Sequence, residues 1–170
     1  MSFMRNPSLM SALSKALDAG PQIDARQVVV LGVGSELRGD DAAGVLVAAR
    51  LARRGPSGVH VIVGGTAPEN LTAEVRSLSP SHLLIVDSAD MGESPGSVRV
   101  IVPAEIGGAS FSTHSLPLSL LAEYVRRETG CRVTVVGMQP RSVEPGRGVS
   151  HEVERAIEET VDALGRCLAG

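Results

Sequence analysis

Aromatic side chains are nearly absent: the 170-residue chain has no Trp, one Tyr and two Phe. A core must therefore be assembled from Val, Leu, Ile and Ala, and there is little material on which nucleobases could stack. Cysteine is as scarce. Cys131 and Cys167 stand alone and far apart, so neither a zinc ribbon nor a redox pair is signalled, and reduced, buried thiols in a cytoplasmic protein are expected. No stretch approaches the roughly 20 apolar residues of a membrane span. The N-terminal "MSFMRNPSLMSALSKALDAGPQID" is interrupted by Ser, Lys and Asp where a secretory leader would be continuously apolar. A large charge of one sign is missing too. The formal net charge of −3 argues against a nucleic-acid partner held by phosphate neutralisation. Arg53-Arg54 and Arg126-Arg127 are paired cations, but each pair falls near a predicted helix end, where the macrodipole favours them.

What the chain has is an alternation of two periodicities. "QVVVLGV" (27–33) is a continuous β-branched run, as for a strand covered on both faces. "DDAAGVLVAARLARR" carries Val45, Ala48, Ala49 and Ala52 at helical spacing. "VHVIVGG" (59–65) predicts a second strand and "APENLTAEVRSLS" a helix with Leu71, Val75 and Leu78 on one stripe. "SHLLIVDSAD" (81–90), "GSVRVIVP" (96–103) and "RVTVVGMQP" supply three further strands. "SLPLSLLAEYVRRETG" and "SHEVERAIEETVDALGRCL" supply two further helices. The pattern predicts a three-layer α/β/α fold: a mostly parallel, five-stranded twisted sheet with helices on both faces. One strand must break the parallel order. The eight residues "SADMGESP" are too few for a parallel crossover, so the fourth strand should run antiparallel at an edge. Residues 1–25 form an N-terminal extension, either loose or a short amphipathic helix ended by Gly20-Pro21. Residues 26–170 form a single domain.

In such sheets, sites form beyond the carboxyl ends of the parallel strands. The loops expected there hold Glu36, Asp40, Asp41, Glu69, Asp87, Asp90 and His114. The first of them, "GVGSELRGDDAAG" (32–44), has the glycine rhythm of a phosphate loop but not its chemistry. A dinucleotide fingerprint would need glycine where Leu37 stands. A P-loop would need lysine where Asp40 stands, and a carboxylate there repels phosphate. A cation suits the loop better. Two carboxylates and an imidazole from separate loops form a mixed O/N donor set able to take nickel, zinc, manganese or iron. Each residue also has a plainer use: Asp41 as a helix cap, Asp87 as a strand-end acid holding a turn, His114 as a capping or loop histidine. His60, His82 and His151 read as surface or strand-start residues.

In this order and spacing, "GVGSELRGDDAAG", "GGTAPEN", "LLIVDSADMGESPG", "THSLPL" and "GMQP" resemble the hydrogenase maturation endopeptidases, from about residue 27 to 165. The second and third segments are most similar to the branch serving formate-hydrogenlyase-type enzymes. The resemblance implies an endopeptidase that trims the C-terminal extension from the large-subunit precursor of a nickel–iron hydrogenase after nickel insertion. It implies that Asp41, Asp87 and His114 bind a divalent metal and carry catalysis through it, with Asp40 in a supporting, orienting role. The nickel would arrive bound to the precursor's cysteines. A chaperone that senses nickel in the same precursor without hydrolysis would need the same ligands. No nucleic acid or membrane partner is implied, and a monomer is expected. Ser35 departs from the family's usual Asn, and a hydroxyl reaches less far and donates fewer hydrogen bonds than an amide.

Overall fold

The computed structural model describes residues 7–18, 27–101, 110–111 and 117–169. In chain order its elements are α1 (Pro7–Asp18), β1 (Val28–Val33), a 3₁₀ turn (Gly39–Ala42) running into α2 (Ala43–Arg54), and β2 (Val59–Gly65). A second 3₁₀ turn (Pro68–Leu71) leads into α3 (Thr72–Ser77), followed by β3 (His82–Asp90), β4 (Val98–Ile101), β5 (Ser110–Phe111), α4 (Leu118–Thr129), β6 (Arg132–Met138) and α5 (His151–Leu168).

The sheet order is β2-β1-β3-β6-β4. Its first four strands are parallel, and β4 lies antiparallel to β6 at the edge, as the short connection after β3 requires. The two-residue β5 pairs antiparallel with Ala89 and Asp90 of β3. Two residues are too short to carry a period, and the sequence read only as a returning loop there. The helix expected over "APENLTAEVRSLS" is also shorter than its apolar stripe. Pro68 opens a 3₁₀ turn, and the helix proper stops at Ser77, with Ser79 at φ 46° just beyond.

Alternation along the strands divides the core into two faces. Val28 and Val30 of β1 with Leu84 and Val86 of β3 meet α1, α2 and α5 through Leu13, Val47, Leu51, Ile157 and Val161. Val29 and Leu31 with Leu83 and Ile85 meet α3 and α4 through Val75, Leu121 and Val125. β1 is buried along its whole length, which accounts for its unbroken β-branched run. The arginine pairs do occupy the last turns of α2 and α4, and Gly55 and Gly130 close those helices in the left-handed conformation.

α1 is amphipathic at helical spacing: Leu9, Leu13 and Leu17 are buried in the first of these clusters. Its C-terminal carbonyls, which no intrahelical donor can reach, are met by Arg132. One guanidinium nitrogen donates to Ala16 O (3.2 Å) and another to Leu17 O (3.0 Å). Beside Arg132 at the amino end of the sheet lies His82, only 2 % exposed. One of its ring nitrogens, Nε2, is 2.8 Å from Thr134 Oγ1. Burial, and then the charge of Arg132, push the imidazole down to about 4.

Since an imidazole in the unfolded chain titrates near 6.5, the unfolded state binds the extra proton between that pH and about 4. Stability contributed by neutral His82 is full above the upper value and is lost as pH falls through the window, by about 3 kcal/mol in all. Urea midpoints measured from pH 7 to 4 should therefore fall more steeply for the native chain than for His82→Gln, whose amide can still meet Thr134. Parallel profiles would show that His82 does not carry this dependence.

Candidate active site at the carboxyl end of the sheet

The turn after β1 is set by close backbone approach. Gly34 lies at φ 135°, and a Cβ there would sit 1.8 Å from Asp41 O. A Cβ on Gly44 would come within 2.1 Å of Val86 O and 2.2 Å of Val33 O. Gly34 thus lets the loop fold back on itself, and Gly44 seats the first turn of α2 against β1 and β3 together. This brings Asp40 and Asp41 down to the sheet ends, at 1 % and 0 % exposure.

Asp41 turns its carboxylate back into the loop, where Oδ2 accepts from Ser35 N at 3.1 Å. It does not cap a helix: neither the 3₁₀ turn nor α2 has a side-chain cap. The hydroxyl of Ser35 is used locally, accepting from Leu37 N at 3.3 Å. An amide that a phosphate loop would offer to its ligand is here taken by the chain's own carboxylate. Asp87 lies one residue past Val86, which pairs with Gly32 where the β1–β3 ladder ends. It is fully buried, and its Oδ1 accepts from Ser88 N at 2.8 Å. β3 continues through Asp87 to Asp90, so Asp87 sits within the strand, not in a turn after it.

His114 lies outside the described residues. Among those described, no three His, Cys, Asp or Glu side chains gather as a metal-binding group. The nearest described element before His114 in the chain is β5, whose Phe111 pairs with Ala89. Of the remaining expected acids, Glu36 and Asp90 are exposed and Glu69 is half-buried. His60 and His151 are exposed, whereas His82 is buried at the opposite end of the sheet.

Asp40 organises the whole β6–α5 loop. Its Oδ2 accepts from Arg141 N (2.8 Å), Ser142 N (3.2 Å) and Ser150 Oγ (2.9 Å), while Oδ1 accepts from Ser150 N (2.6 Å). Asp40 N in turn donates to Ser142 O at 2.9 Å. Ser150, the residue before α5, therefore spends its hydroxyl on Asp40 and makes no side-chain cap on its own helix.

Gln139, a residue not expected to take part in the site, clasps the β3–β4 loop. Its Oε1 accepts from Met91 N (2.7 Å) and Glu93 N (3.3 Å), and its Nε2 donates to Asp90 Oδ1 (3.2 Å). The Gly92 N–H, and then this amide, hold the Asp90 carboxyl below its usual range. A glutamine at a strand end before Pro140 was the available signal, but only the fold reveals its partners.

The chain matches the family model for hydrogenase maturation proteases over residues 45–166. It is 37% identical over 143 residues to the hydrogenase 3 maturation protease of Escherichia coli K12, covering 84% of this chain and 88% of that one. It is 31% identical over 146 residues to the hydrogenase 2 maturation protease of the same organism, with 81% and 88% covered. Among solved structures, a nickel–iron hydrogenase maturation protease from Thermococcus kodakarensis KOD1 superposes with a TM-score of 0.79 at 29% identity, covering 85% of this chain and 94% of its own. A crystal structure of a hydrogenase 3 maturation protease gives 0.73 at 36% identity, with 82% and 90% covered. With the α/β sheet, the glycine turn and the acids at its carboxyl end all in place, the chain belongs to the hydrogenase maturation protease family and is a peptide-bond hydrolase.

Proposed function

We propose that this protein removes the C-terminal extension of a nickel–iron hydrogenase large-subunit precursor after nickel has been inserted, and that nickel held by the precursor is the feature it recognises. The observation that carries the proposal is the pair of wholly buried carboxylates, Asp41 in the turn after β1 and Asp87 on the adjacent parallel strand β3, at one end of the sheet. Both lie where the loops that follow parallel strands gather, the end of an α/β sheet at which sites form. Each has an oxygen held by a backbone N–H, from Ser35 or Ser88, so their orientation is set before a partner arrives. His114 would add the imidazole of a donor set suited to a divalent transition ion.

The incoming nickel would polarise the scissile carbonyl. The protein's own part is to present carboxylates without reorganisation and to exclude bulk water by burying them. A carboxylate, an acceptor when ionised, can also take the proton of the attacking water. Asp40 stands behind Asp41 as a positioning residue and fixes the loop from Arg141 to Ser150 against it.

The purified protein should shorten a nickel-loaded large-subunit precursor and leave the nickel-free precursor intact, as read by intact-mass measurement. Equal shortening of both forms would refute nickel gating, and binding without shortening would leave a sensor in place of a protease. Asp41→Asn and His114→Ala should each lower cleavage by more than about a hundredfold, beyond the about 10–100-fold loss typical of residues behind the ligands. Their melting temperatures should stay near that of the native chain.

Asp40→Asn should behave differently. An amide offers one acceptor oxygen to donors that now share two, leaving backbone N–H groups unpaired at a cost of about 2 kcal/mol. Chemical denaturation should show that loss. A variant as stable as the native chain would mean that the loop is held by other contacts.

A further inference from the structure

Beside Asp40 an open cleft of about 710 Å³ runs along the β6–α5 loop. Its walls carry two ion pairs, Arg141–Glu152 at 2.6 Å and Arg147–Glu144 at 2.5 Å. Both guanidinium groups are more than half exposed. The backbone of the loop is tied down on either side. Gly39 N donates to Arg147 O (3.1 Å), Gly146 N to Leu37 O (2.9 Å), and Ser150 N to Asp40. Between these ties, the amide and carbonyl groups of Gly148 and Val149 make no hydrogen bond among the described residues, and Ser150 continues from them in extended conformation.

Gly148 is the telling residue. Glycine is normally demanded by a positive φ or by a neighbour that a Cβ would strike. Gly146 has the first reason, at φ 78°, and Gly44 the second. Gly148 has neither, because its φ is one that other residues adopt and nothing lies within 4 Å of a Cβ built on it. Among the described residues it alone combines the two. Nothing in the described structure demands glycine there, and the position is exposed on the lining of the cleft; a bare position of this kind leaves room for another backbone to come close.

We infer that Gly148 and Val149 form a main-chain docking strip for an extended polypeptide, namely the stretch of the hydrogenase precursor that leads to the scissile bond. The inference rests on the function proposed above. An extended chain lying on the strip would pair its own N–H and C=O groups with those of Gly148 and Val149, giving affinity without demanding particular side chains. The flanking Arg–Glu pairs can part to meet charges of either sign on that chain. The strip precedes Ser150, the residue clamped by Asp40, and Asp40 itself lines the cleft and is next in the chain to Asp41.

Gly148→Ala and Gly148→Val test this in the full-length chain. Both should fold with an unchanged melting temperature, since the added atoms meet nothing in the free protein. The Val variant should raise KM for the nickel-loaded precursor about tenfold with kcat near the native value, and the Ala variant by less. KM within about twofold of native in both variants, or a fall in kcat at constant KM, would overturn the docking strip. Hydrogen exchange read at the amides of Gly148 and Val149 separates this inference from the proposed function. Slowing on addition of the precursor supports the strip even if no cleavage follows. Cleavage without slowing overturns the strip and leaves the protease reading intact.

Discussion

The carboxylate of Asp40 is the constraint on which the carboxyl end of this molecule depends. It is buried, accepts four hydrogen bonds, and joins the turn after β1 to a loop more than a hundred residues later. A buried charge is tolerated when donors surround it, and here three of the four donors are backbone amides of the β6–α5 loop. One acid thus does two things. Its own desolvation is offset by charge-assisted bonds, and a long loop without secondary structure becomes a fixed wall.

The contrast between the two adjacent aspartates follows from their partners. Asp40 gives its carboxylate to the β6–α5 loop, through Arg141, Ser142 and Ser150. Asp41 folds back on Ser35 and stands at the ends of β1 and β3. The glycines decide which is which. Without Gly34 and Gly44 the start of α2 could not sit on the sheet, and neither carboxylate would reach its place. The loop shares its glycine-rich geometry with phosphate-binding turns, but its acids claim the amide hydrogens for the protein itself.

Much of this was legible from residue patterns. The inner strand β1 is a continuous apolar run, and the reversed fourth strand follows from an eight-residue connection alone. Asp41 and Asp87 could be placed together because topology dictates which loops share an end of the sheet. Other features were not legible, for physical reasons. β5 is too short to show a period. The reach of Gln139 to Asp90 and Met91, and of Asp40 to Ser150, depends on contacts between distant segments that no local spacing encodes. His82 looked like an ordinary strand-start residue, and its depressed titration arises from burial beside Arg132. Helix α1 could be read as amphipathic, yet not that Arg132 would terminate it.

The sequence distance spanned by Asp40 also bears on when the protein can become competent. Asp40 and Ser150 are separated by 110 positions, and the intervening chain supplies β2, β3, β4 and β6. Contacts of such separation form late, because the entropy of closing the loop must be overcome first. A growing chain on the ribosome can complete β1 and α2 while Asp40 still lacks every side-chain partner it will have. The wall beside the buried acids therefore cannot be built until residue 150 has emerged, and a copy of the enzyme shorter than that has no formed cleft with which to meet another protein.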